Sequence, residues 1–219
     1  MPTLYGVYRS RATRNFWLAA EMGITLDHVP VIQSYRLPDP LAMDAPLNTA
    51  SPEFLRISPA GAIPVLVDEG LVLSESLAIN LYLARKFGGP IAPIDSAETA
   101  LMEQWALYGA TAIEASTLAI QYAYAEGLST TQAGKTEIAA LVEKLQRPLA
   151  VLDIHLESAS YFVGKRFTVA DINMAEIVRY GQAHPKLIAE FPALDAWLKA
   201  CQARPAFQEM WTRRNAEPA

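Results

Sequence analysis

Hydrophobic and polar positions divide the chain into a first part that mixes strand and helix patterns and a second part that is helical throughout. Residues 3–8, TLYGVY, are aromatic and β-branched, as strands are. In RATRNFWLAAEMG, Ala12, Phe16, Ala19 and Ala20 share one helical face, and Gly23 is a stop signal. LDHVPV, residues 26–31, predicts a second strand and completes a β-α-β unit. The connection over residues 33–50, QSYRLPDPLAMDAPLNTA, is long and proline-rich; such loops are uncommon in compact domains and often border sites. A short helix, SPEFLRIS, follows. VLV and LVL then flank Asp68-Glu69-Gly70, a hairpin signal. SESLAINLYLARKFGG predicts a helix with Ser74 as N-cap, Leu77, Leu81 and Ala84 on one face, and Gly88-Gly89 at its end.

Residues 88–96, GGPIAPIDS, have the glycine and proline content of a linker. Beyond them strand signals vanish. One long helical pattern runs from AETALMEQW to YAYAEG, and another, KTEIAALVEKLQRPLAVLDIHLESA, carries a proline at 148 that predicts a kink. FTVADINMAEIVRYGQA opens with a capping box: Thr168 is the N-cap, Asp171 stands three residues on, and Phe167 and Ile172 occupy the staple positions. PALDAWLKACQARPAFQEMW closes an all-helical bundle. The predicted division is therefore residues 1–87, a linker at 88–96, and a helical domain at 97–219.

Composition narrows the function classes. The 219 residues are 52% apolar and 19% charged, enough to bury a core and unlike a disordered chain. The net charge is −5 and basic residues are scattered, which argues against a nucleic-acid surface. No apolar run approaches the roughly 20 residues that span a bilayer, and MPTLYGVYRSR lacks the pattern of a signal peptide, so the expectation is a cytoplasmic protein without a membrane partner. Cys201 is the single cysteine, which excludes intramolecular disulfides and thiolate clusters. His28, His155 and His184 have no metal-ligand spacing, so no metal is expected.

Four separated pieces carry a resemblance: YRSRATR after the first strand, AIPVL, SES, and FTVADI in the helical half. In this order and at this spacing the chain resembles the cytosolic glutathione S-transferase superfamily, as a serine-type, bacterial-like member, over essentially its whole length. The resemblance implies a thioredoxin-like N-terminal domain, β-α-β-α-β-β-α, followed by an all-helical C-terminal bundle. It implies that Pro64 is cis and that Ile63 pairs with the extended backbone of glutathione like an added strand. Read alone, Pro64 is better explained as a trans edge-strand proline, and the surrounding pattern reverses that. Ser76 would hold the γ-glutamyl carboxylate at a helix N-terminus and Glu75 would face the ammonium group; the plainer reading has Ser74 capping and Glu75 offsetting the helix dipole.

The chemistry implied is thiol activation. A thiol near pKa 8.5 is a poor nucleophile at neutral pH, and lowering it about two units takes nearly 3 kcal/mol. By resemblance Ser10 donates a hydrogen bond to the glutathione sulfur; otherwise it only caps the helix. Thr13 and Tyr8 compete for the role, Arg11 adds positive potential, and Arg14 is expected to reach toward the linker or second domain. With no cysteine at this turn, the cysteine-dependent members are excluded, and Cys201 is expected to be buried. Where relatives carry Lys or Gln, Ala62 offers no side-chain bond to the glycyl carboxylate. That contact falls to Arg36 or Asn48 in the long loop, or is absent. Tyr8, Met102, Trp105, Tyr108 and Ala112 are expected to line an apolar pocket for the second substrate. The implied function is conjugation of glutathione, as co-substrate, to small hydrophobic electrophiles by a homodimer. Glutathione-dependent peroxide or disulfide reduction, and a non-catalytic binding module of the same fold, are the alternatives.

Overall fold

A computed structural model describes residues 1–218. They form two compact units, Met1–Lys86 together with the segment from Pro205 onward, and Phe87–Arg204.

The first unit is built on a four-stranded sheet of order β2-β1-β3-β4, with β1 Thr3–Tyr5, β2 Asp27–Val29, β3 Val65–Asp68 and β4 Leu71–Ser74. β1 runs parallel to β2 and antiparallel to β3, and β3 antiparallel to β4. The β3–β4 hairpin turns on Glu69 and Gly70, whose φ angles are 50° and 87°. Positive φ at both central residues is the mirror-image turn whose twist suits a two-residue hairpin. Helix α1, Thr13–Met22, joins the parallel pair and ends at Gly23, which is left-handed at φ 63°. Helix α2 is Pro52–Ile57 and α3 is Ser76–Phe87. Leu4, Leu18, Phe54, Leu66, Ile79 and Leu83 are fully buried among these elements. This is the thioredoxin-like β-α-β-α-β-β-α order the resemblance implies.

Ser74 is not the cap of α3. It pairs with Val65 as the last residue of β4, so the helix begins one residue later, where the Glu75 carbonyl accepts the Ile79 N–H at 2.9 Å.

The second unit is helical. Helices α4, Ser96–Tyr108, and α5, Ala115–Ala125, are continuous through a widened π-type turn over Gly109–Glu114. Helix α6, Gln132–Ser158, carries Pro148 inside it. Helix α7, Val169–Val178, opens with the predicted capping box: the Asp171 carboxylate accepts the Thr168 N–H at 2.9 Å, and the Thr168 hydroxyl accepts from the first turn. Asp171 also accepts from Phe162 N–H and Trp197 Nε1, which ties the helix start to α8, Pro192–Gln202. Cys201 is buried. Among the described residues no helix is long and apolar enough to cross a membrane.

The segment expected at the end of the helical domain belongs elsewhere. Helix α9, Pro205–Ala216, packs on α1 in the first unit, with Phe207 edge-on to Trp17 at 5.0 Å. The apolar residues of α9 close the outer side of α1, and a pattern of local periodicity does not say which helix is covered. Residues 88–96, read as a linker, fall within the second unit.

Candidate active site

The turn between β1 and α1 carries Tyr8, Arg9 and Ser10. A side chain on Gly6 at its base would crowd Ala12 Cβ at 3.1 Å and reach ordinary contact with Pro64 Cα at 3.7 Å, and the backbone there has φ 155°, which suits glycine. The Ile63–Pro64 bond is cis. Gly6 thus stands close to Ala12 on one side and to Ile63 and Pro64 on the other.

Within the turn the Ser10 hydroxyl donates to the Val7 carbonyl at 2.6 Å and accepts the Ala12 N–H at 3.0 Å. Its oxygen is fixed from two sides, and its proton is engaged locally. Thr13 is fully buried and donates to the Ser10 carbonyl at 3.2 Å. Tyr8 stacks on Phe16, ring centroids 3.9 Å apart, and its hydroxyl lies 3.4 Å from Arg213 Nη1. Neither competitor shares the place of Ser10. Arg11 is exposed.

The second part of the site is the mouth of α3. Glu75 is exposed at φ 69°, a left-handed backbone that a glutamate rarely adopts and that clusters at functional sites. Ser76 is buried, and its hydroxyl accepts a hydrogen bond from Arg14 Nη1 at 3.0 Å. Arg14 is 1% exposed, and this bond ties it to the start of α3 within its own unit. Its cation lies behind the N-terminus of α3, where it adds to the field of the free helix N–H groups. Asn15 donates to the Ser76 carbonyl at 2.9 Å and to Asn80 at 2.7 Å, while Asn80 donates back to the Arg14 carbonyl at 3.2 Å. These three side chains belong to the site by contact. Arg14 was legible as part of the SRxxR pattern, whereas Asn15 and Asn80 carried no signal.

Of the two candidates for a glycyl contact, Asn48 is spent. It is fully buried and bonds Pro40, Pro46 and Ala50 main-chain groups, so it shapes its loop. Arg36 remains half-buried, bonded to Gln33 and to the Pro218 carbonyl.

In the helical unit Met102 has no exposed surface and Trp105 is packed among Tyr108, His155 and Phe162 at 4.8–5.8 Å. Both belong to the core there, correcting the expectation that they line a pocket. Their i, i+3 spacing holds them on the inner stripe of α4, and the widened turn at 109–114 shifts Ala112 off that stripe. Tyr108 and Ala112 stay half-exposed. A cavity of about 410 Å³ lies elsewhere, between α1 and α9, walled by Tyr8, Phe16, His28 and Arg213; it does not include Pro64 or Ser76.

A thioredoxin-like sheet with a cis proline at the start of β3, on a chain continued by a helical unit, defines the class of a two-part protein with a thioredoxin-like first half. Family comparison makes it particular. The glutathione S-transferase N-terminal domain model matches residues 9–86 and the glutathione S-transferase C-terminal domain model residues 99–205. The chain is 38% identical over 170 residues to glutathione S-transferase 3 of Zea mays, covering 72% of this chain and 74% of that one. It is 32% identical to elongation factor 1-gamma 2 of Oryza sativa subsp. japonica over 75% of its own length but only 40% of that protein's. Its fold superposes with a TM-score of 0.76, at 26% identity and 95% coverage of each chain, on the theta class glutathione S-transferase from Xanthomonas axonopodis pv. citri with glutathione bound. The chain belongs to the glutathione S-transferase superfamily.

Proposed function

We propose that the protein is a glutathione transferase that conjugates the glutathione thiolate to small hydrophobic electrophiles. The carrying observation is the Glu75–Ser76 mouth of α3 with the Arg14 guanidinium bonded to Ser76 Oγ behind it. An exposed carboxylate beside a cation-backed helix N-terminus suits a zwitterion, the α-amino-acid end of a γ-glutamyl peptide. Ile63, at the cis proline, would pair with the cysteinyl backbone as an added strand. By resemblance Ser10 faces the sulfur, and its hydroxyl would exchange its Val7 acceptor for it and stabilise the thiolate.

The thiol proton leaves to solvent. The sulfur electron pair forms the new carbon–sulfur bond, and a halide departs with its bonding pair; on an activated alkene the displaced pair ends on carbon and takes a proton from water. Tyr108 and Ala112 remain the helical unit's candidates for contact with the electrophile, and Arg36 is the candidate for the glycyl carboxylate. A homodimer is the expected assembly, as the resemblance implies.

A non-catalytic binding module is the second reading. It is favoured by the likeness to elongation factor 1-gamma 2 and by the Ser10 proton resting on Val7. Calorimetric titration of glutathione into wild type and Ser76→Ala separates the outcomes. Measurable binding, weakened by the substitution, supports the transferase site. No heat at several temperatures overturns it in favour of the module.

A further inference from the structure

We infer that Glu217, far from the turn in sequence, is the positioning residue for Ser10. This rests on the transferase reading above. The two Glu217 carboxylate oxygens accept hydrogen bonds from consecutive main-chain N–H groups, Tyr8 and Arg9, each at 2.8 Å. Arg9 Nε donates to the Glu217 carbonyl at 2.8 Å, and Arg36 Nη2 donates to the Pro218 carbonyl at 2.6 Å. Gln33 closes the ring: its Nε2 donates to the Arg9 carbonyl at 2.9 Å, and its Oε1 accepts from Arg36 at 3.2 Å. Arg9 is thus held by its N–H, its carbonyl and its side chain, immediately before Ser10.

The link to Ser10 runs through one peptide group. A trans peptide is planar, with its N–H and C=O pointing in opposite directions. The N–H of Tyr8 and the C=O of Val7 belong to the same plane. Glu217 takes the N–H, and the Ser10 hydroxyl takes the C=O at 2.6 Å. An anion on one side of the group therefore fixes the orientation of the peptide on which the turn of Ser10 is built. Glu217 sets where Ser10 Oγ stands without approaching the substrate. Two adjacent N–H groups with a carboxylate across them also form a preorganised anion nest, so the clamp is stronger than neutral contacts.

The test is the ultraviolet absorbance of bound thiolate against pH, with glutathione Kd alongside, on the full chain as wild type, Glu217→Ala, Ser10→Ala and the double variant. In Glu217→Ala the bound thiol pKa rises by about one unit, a tenfold loss of thiolate below the pKa, while Kd changes less than about threefold. In the Ser10→Ala background the same change moves the pKa by less than about 0.3 units, because the residue acts only through Ser10. Glu217→Gln, isosteric and neutral, gives a smaller shift in the same direction and stands in where Glu217→Ala fails to fold. An equal shift with and without Ser10 overturns the inference, as does no shift. Wild type with an unperturbed thiol overturns the transferase reading and this role together. That failure shows in wild type alone, so the two are distinguishable.

Discussion

Arg14 Nη1 stands 3.0 Å from Ser76 Oγ, which places a guanidinium that is almost wholly buried directly behind the first turn of α3. Taking away the hydroxyl removes one acceptor from a buried cation and opens a gap beside it. Ser76→Ala is expected to lower stability by about 1–3 kcal/mol, the range for stranding a buried polar group, and to weaken glutathione binding. Arg14→Lys keeps the charge but not the fork, so it is expected to weaken binding while leaving the bound thiol pKa unchanged. Chemical denaturation and calorimetry on the two variants check both statements.

Gly6 connects the sheet to the turn of Ser10. A Cβ there would press on Ala12 at 3.1 Å, and Pro64 Cα and Ile63 Cβ stand close behind at 3.7 and 3.8 Å. Gly6→Ala is expected to cost about 1–3 kcal/mol, as overpacking does. Because the strain falls on Ala12, whose N–H is held by Ser10 Oγ, glutathione binding is expected to fall further than the stability change alone implies. Titration at a temperature where the variant is fully folded separates the two effects.

Asp68 gives the fold a pH dependence of known sign. It is buried, bonded to the Lys86 ammonium and at 2.8 Å to the Tyr82 hydroxyl. The Lys86 bond holds its carboxyl below the ordinary carboxylate value, against desolvation, with Tyr82 assisting. The unfolded chain then binds this proton more tightly. The stabilisation is complete above about pH 4 and is lost as pH falls through the lower, folded value. Lys86 is shifted upward by the same bond, so its share is complete at neutral pH and lost only on the alkaline side. The melting-temperature gap between wild type and Asp68→Asn is expected to be wide at about pH 7 and to narrow at about pH 3. A gap that stays constant across that range disproves the assignment.

Local chemistry was legible in the sequence, and distant chemistry was not. Asp68-Glu69-Gly70 announced its hairpin because a two-residue turn with positive φ leaves few residue choices. Thr168 and Asp171 announced a helix start because both halves of the box lie within one turn. Ser74 misled for the opposite reason: a serine before a helical run looks like a cap, and only pairing with Val65 shows that it ends a strand. Arg14 matched a pattern while its target, Ser76, lies 62 positions away. Asn48 looked like a ligand contact until three main-chain partners absorbed it. Met102 and Trp105 had the right spacing for a wall and equally for a core. Glu217 sits 209 positions from Tyr8, and no periodicity connects them.

Asp171 makes the last prediction, because burial and hydrogen bonding pull it in opposite directions. Burial pushes its carboxyl above the ordinary value, and the bonds from Thr168, Phe162 and Trp197 work against that rise. A folded-state pKa that is raised favours the protonated form, so this group alone contributes stability at low pH that is lost as pH rises through the folded value. The carboxylate nonetheless serves Thr168 N–H at 2.9 Å, Phe162 N–H at 3.1 Å and Trp197 Nε1 at 3.0 Å. Asp171→Asn removes the buried charge but turns an amide NH₂ toward one set of these donors. Losing an acceptor that serves buried N–H groups costs about 1–3 kcal/mol each, more than relief of a single desolvated charge returns when that charge already has four donors, the Thr168 hydroxyl at 3.2 Å among them. Asp171→Asn is therefore expected to be less stable than wild type at neutral pH, and Asp171→Ala less stable still. Thr168→Ala, which keeps the carboxylate, is expected to lose only about 1 kcal/mol, as a single cap does. Denaturant midpoints for the three variants give the order. An asparagine variant more stable than wild type would mean that the buried charge outweighs the bonds it accepts.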